Sequence, residues 1–72
     1  MERMRIRVMS VAMCPEDRVA VARVQAVSAR KLRGRPVAII EVEVRLQVPA
    51  DESPHVTRRR AREAAVDFLD VL

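Results

Sequence analysis

Polar and apolar residues alternate from the start of the chain, where Arg3, Arg5 and Arg7 interleave with Met4, Ile6 and Val8. A period of two is that of a half-buried strand. From Val8 to Met13 both sets become apolar or small, so the strand is expected to continue over residues 3–13 with both faces covered. The same period returns later. Val42, Val44, Leu46 and Val48 fall on one face, and Glu41, Glu43, Arg45 and Gln47 on the other, within a strand predicted over 36–48. After a polar loop at 49–53 the period changes to 3.6. Ala61, Ala64, Ala65, Phe68, Leu69 and Leu72 form one apolar stripe, with Thr57 a turn earlier. This predicts a helix over 53–72, capped by Ser53 and carrying Pro54 in its first turn.

Residues 16–33 fit two periods. Cys14-Pro15-Glu16-Asp17 has the marks of a helix start, because Pro suits the first turn and acidic residues suit the positive end of the macrodipole. Ala20, Val21, Val24, Val27, Ser28 and Leu32 then share one helical face, and Gly34 is placed as a C-terminal cap. The competing strand reading rests on the β-branched run Val19-Ala-Val-Ala. The agreement of start, stop and period favours the helix. The expected fold is therefore α+β in strand–helix–strand–helix order, with a small sheet packed by the C-terminal helix. A β-β-β-α meander is the alternative.

Composition narrows this picture. Seventy-two residues make one domain, close to the size at which a single core is marginal. The apolar half is mostly Val and Ala, with Phe68 the only aromatic side chain. Shared burial between two copies is the expected remedy, since a two-stranded sheet is marginal alone and long strands leave pairing edges. The charged rows point the same way. Opposed antiparallel, the Arg row of the first strand faces Glu41 and Glu43 of the second. A strand–helix–strand connection makes those strands parallel instead. A homodimer joined through an edge strand reconciles the two, and so does a strand in place of the middle helix.

Cys14 is the single cysteine, so no disulfide forms within the chain. With no apolar leader run after the basic start, the expected location is cytoplasmic. No stretch approaches the roughly 20 apolar residues of a membrane span.

The formal net charge of +4 permits an anionic partner, such as nucleic acid or an acidic protein surface. Arg58, Arg59, Arg60 and Arg62 sit at the start of the last helix, while Asp67 and Asp70 sit toward its end. Both placements oppose the macrodipole, at a cost of a few tenths to about 1 kcal/mol each. These four arginines are the candidate anion-binding residues, with Arg30, Lys31, Arg33 and Arg35 as possible additions. Arg58, Arg59, Ala61, Arg62 and Ala65 resemble the basic opening of the second helix in double-stranded RNA-binding domains. That resemblance implies phosphate contacts by the basic side chains. The family opens with a helix, whereas this chain opens with a strand, and the glycine-containing turn before the motif is absent.

Cys14-Pro15 is the second chemical signal, since a thiol at a helix start favours its thiolate. It resembles the Cys-Pro-x-Pro motif of the TusA/SirA sulfur-carrier family, with Asp17 in place of the second proline. That resemblance implies a reactive thiol at Cys14 and strand–helix–strand–helix order. His55 stands alone, so neither a metal cluster nor a Ser–His–Asp arrangement is suggested. No cofactor is expected. The sequence reads as a small basic binding or assembly module rather than an enzyme. Nucleic-acid phosphates are its first candidate ligand, a homodimeric scaffold role the second, and a thiol carrier the third.

Overall fold

The computed structural model describes residues 4–71, so Arg3 and Leu72 lie outside the described residues. The chain is a small α+β fold in which a three-stranded antiparallel sheet precedes one C-terminal helix. Strand β1 spans Met4–Cys14, β2 Val19–Ser28 and β5 Ile39–Gln47, with the miniature pair β3 (Lys31–Leu32) and β4 (Arg35–Pro36) between β2 and β5. The order across the sheet is β1-β2-β5. Helix α1 covers Pro54–Val71.

Strand–helix–strand–helix order is therefore corrected to the meander. Residues 19–28 form the central strand, and no helix starts at Pro15. Alanine fits either period, so Ala20, Ala22 and Ala26 could not separate them. The β-branched Val19, Val21, Val24 and Val27 favour an extended backbone, and tertiary pairing on both sides secures it. Alternate residues Ala20, Ala22, Val24, Ala26 and Ser28 are buried beneath the helix. The helical crossover is gone, but β1 and β5 still run parallel to each other, because each is antiparallel to β2, which lies between them.

Both hairpins explain signals that had been assigned to helix ends. Pro15-Glu16-Asp17-Arg18 is the turn between Cys14 and its partner Val19, closed by Arg18 at a φ of 54°. The side chain of Arg18 donates from Nε to the Val48 carbonyl and from Nη2 to the Pro49 carbonyl, each at 3.0 Å. These bonds offset the left-handed backbone, which costs a non-glycine residue about 1–2 kcal/mol. Gly34, expected as a helix cap, instead follows Arg33 in a two-residue turn with φ values of 54° and 80°. Positive φ at both central positions matches the right-handed twist of a hairpin, and glycine adopts it without a steric cost.

Helix α1 begins as its sequence predicts. Ser53 Oγ accepts from the Val56 amide at 3.3 Å, and Pro54 opens the first turn. Thr57, Ala61, Ala65 and Leu69 are its buried stripe. Ala61 and Ala65 pack on Ala22, Val24 and Val44, with Ile6, Val8, Val11, Val42 and Leu46 around them. Alanine on both layers brings helix and sheet close together, so the core is dense in small groups. Its largest fully buried side chains are Val24 and Val48.

Helix α1 leaves the other face of the sheet open, and the β3–β4 hairpin borders that face at Arg5 and Arg7. Ser10, Ala12 and Cys14 in the second half of β1 are exposed there, which corrects the expectation of cover on both sides. Sequence alternation in this half reflects small side chains rather than burial.

Candidate functional site

Helix α1 projects its first arginines to two sides. Residues 58 and 60 are about 200° apart around a helix, so they cannot share a neighbour. Arg58 Nη2 donates at 3.0 Å to the carbonyl of Val8 in β1. Val8 adjoins the register shift between Val8 and Ser10, where a β-bulge interrupts the pairing with β2. Arg60 turns the other way and donates from Nη1 and Nη2 to the Gln47 carbonyl at the end of β5, each at 3.3 Å. Its Nη1 also meets Glu52 Oε1 at 2.6 Å. Thr57 Oγ1 donates to the second Glu52 oxygen, again at 2.6 Å. The Glu52 side chain is only 8% exposed. The Thr57 hydroxyl, and then Arg60, hold its carboxyl below the usual glutamate range, against the opposing effect of burial. Arg58 and Arg60 thus grip the two edge strands from one helix.

Arg59 and Arg62 make no hydrogen bond or ion pair within the described residues and are exposed. With His55 and Arg58 they line a shallow cavity of about 370 Å³ whose floor includes Val8. The structure therefore brings three of the four predicted arginines together and sends Arg60 elsewhere. His55 joins them, a residue that sequence reasoning dismissed as isolated. The signal was present, because positions 55, 59 and 62 follow i, i+4, i+7 spacing on one face. The first turn of α1 holds no acidic residue and its last turn no basic one, so the cations stand against the macrodipole throughout.

The remaining sequence candidates lie apart from this cavity. Arg33 occupies the tip of the β3–β4 hairpin, and Arg30 and Arg35 lie on its two arms. Lys31 lines a separate cleft of about 430 Å³ with Arg5, Arg7, Val27, Ser28 and Gly34. Arg5 and Arg7 entered the sequence reading only as a strand face, and the fold of the hairpin over the open sheet face makes them part of a second cationic site. Cys14 is exposed at the end of β1, beside a turn rather than a helix. The macrodipole that would favour a thiolate is not there, and the family order implied by Cys14-Pro15 is absent. Glu41 and Glu43 stand on the open face, where Arg23 approaches Glu41 at 4.0 Å with both side chains more than half exposed. An exposed pair of this kind contributes little.

Among the described residues, no three His, Cys, Asp or Glu side chains gather as a metal ion would require. No helix among the described residues is long and apolar enough to cross a membrane. Compared with known proteins, the chain matches no family model, no curated protein and no solved structure.

Proposed function

We propose that this protein is a small binding module that docks on the phosphate backbone of a nucleic acid through the first turns of α1. One observation carries the reading: internal structure accounts for Arg58 and Arg60 but not for Arg59 and Arg62. Two unpartnered guanidinium groups and an imidazole surround a shallow cavity at the positive end of a helix. Cations so placed disfavour the helix, and an anion at that position reverses the sign of the interaction. Planar guanidinium donors match phosphate oxygens in pairs. The single aromatic residue, Phe68, provides no stacking surface for unpaired bases, so contacts fall on backbone phosphates.

Phosphate contacts release counterions, so affinity for a duplex falls steeply as salt rises, with a slope of roughly −0.9 per phosphate neutralised. Fluorescence anisotropy with labelled duplex DNA and duplex RNA at several salt concentrations measures this slope. R59E/R62E is expected to lower affinity at least about tenfold on every sequence tested, and R59Q/R62Q to reduce the slope by about two. Binding that ignores salt, or that survives R59E/R62E unchanged, overturns the reading.

A further inference from the structure

The two edges of the sheet carry opposite charge on both of their faces. Along β1, the open face presents Arg5 and Arg7, and the helix flank above it presents Arg58, Arg59 and Arg62. Along β5, the open face presents Glu41 and Glu43, relieved by Arg45. The helix flank above β5 is the side to which Arg60 turns, and Asp67 follows it there at i+7. Arg60 is itself neutralised by Glu52. A chain with a net charge of +4 thus holds an acidic edge opposite its basic one.

Neither edge is blocked by proline, and β1 and β5 each have one side without a strand partner. Free edges of this length invite pairing. The bulge after Val8 and the Arg58 bond to the Val8 carbonyl close the second half of β1, leaving Met4–Arg7 available. The two rows overlap at one height and are offset by two residues, Arg5 standing level with Ile39 and Glu43 with Ser10. Arg7 pairs with Gln25, and Gln25 with Glu41, so Arg7 and Glu41 occupy one row across the sheet.

We infer that copies of this chain associate head to tail, the β1 edge of one against the β5 edge of the next. Joining two β1 edges in a two-fold dimer sets Arg5 and Arg7 against arginines, and joining two β5 edges about Glu43 sets that glutamate against itself even where Glu41 meets Arg45. Like charges directly opposite are destabilising. Because β1 and β5 are both antiparallel to β2, they run parallel to each other, and a copy moved sideways presents its β5 parallel to β1 with its helix on the same face. Arg7 then meets Glu41 directly across the open face, with Arg5–Glu41 and Arg7–Glu43 as diagonal neighbours, and Arg62 meets Asp67 across the helix layer. Such a contact is heterologous, so it closes into a ring or continues into a filament. Arg59, which points away from the buried Ala61, stays outward in this arrangement. The association does not depend on the phosphate-docking reading: its open-face contacts use Arg5, Arg7, Glu41 and Glu43, which that reading leaves aside, and only Arg62 is shared by the two.

Sedimentation velocity of nuclease-treated protein over a range of concentrations, at about 0.02 M and about 1 M salt, tests the inference, since screening shortens from over 20 Å to ~3 Å between them. The weight-average mass is expected to rise at least about twofold with concentration at low salt and to return to the monomer at high salt. R5E/R7E and E41K/E43K are each expected to remain monomeric, and their equimolar mixture to regain association. Far-UV circular dichroism shows that each variant is folded. If either is not, R5Q/R7Q and E41Q/E43Q replace them, and both are expected to weaken association alone. A monomer at every concentration, a discrete dimer that the variants leave intact, or variants that fail to complement each other overturns the inference.

Discussion

The two sides of the α1 N-terminus hold the same residue type in opposite states. On the β5 side, Arg60 completes a closed set with Glu52, Thr57 and the Gln47 carbonyl, and every polar atom at its centre has a partner. On the β1 side, Arg58 spends one bond on the Val8 carbonyl, while Arg59 and Arg62 face solvent with His55. A run of arginines is therefore not one feature. Helical geometry divides it, and burial of Glu52 decides which member is needed for the fold. The satisfied side is a structural clasp, and the unsatisfied side is where a ligand has something to gain.

This contrast depends on the close approach of helix and sheet, so the largest effect comes from disturbing it. Ala61 is fully buried against a sheet face of Ala22, Val24 and Val44. Ala61→Leu forces in three extra carbons and lifts the helix, at a cost of about 1–3 kcal/mol. In a domain of this size each kcal/mol lowers the midpoint by about 4–8 °C. Thermal unfolding followed by circular dichroism measures the loss, and an unchanged midpoint removes the packing on which both clasps rest.

A smaller effect separates the two sides directly. Arg60→Ala leaves Glu52 with only Thr57 as a donor and frees the Gln47 carbonyl, so it is expected to destabilise the protein. Arg59→Ala breaks no internal bond and removes a cation from the positive end of the helix, so stability is expected to hold within about 0.5 kcal/mol or to rise slightly. Urea titration of the two variants side by side decides the matter. Equal losses at both positions end the distinction between clasp and contact surface.

How much of this was legible in the sequence varies with what fixed each element. The helix start at Ser53-Pro54 and the stripe through Ala61, Ala65 and Leu69 follow local rules and appear in the structure, whereas Phe68, read as part of that stripe, is exposed. The alternation at Val42, Val44 and Leu46 likewise gave the strand its buried face. The segment 19–28 was misread because alanine satisfies both periods, and only pairing with two neighbours chooses between them. Gly34 was misread as a helix cap, because a hairpin turn and a helix cap both use the positive φ that glycine adopts. The candidate site was half visible. Arg58 to Arg62 announced themselves by charge, whereas their division required the sheet edges beneath. The link of Arg5 and Arg7 to Lys31 is made only by the folded hairpin.

The smallest effect is the pH dependence of the clasp, and its sign is fixed. Thr57 and Arg60 both favour ionised Glu52, so its folded-state pKa lies below the ordinary value of 4.5. A depressed carboxyl pKa contributes stability that is fully present above about pH 4.5 and is lost as pH falls through the folded-state value. Glu52→Gln keeps the size and one acceptor oxygen but removes the charge. Its midpoint is therefore expected below that of the parent protein by a constant amount at neutral pH. The gap is expected to narrow below about pH 4.5 and to close once Glu52 is protonated in both states. Melting curves of the two proteins from neutral pH to about pH 3 trace this convergence. On the opposite side, Arg59→Ala touches no carboxylate, so its difference from the parent is expected to stay flat over the same range. A Glu52→Gln gap that persists undiminished in acid assigns the clasp to shape and hydrogen-bond count rather than to charge, and the contrast between the two flanks loses its electrostatic basis.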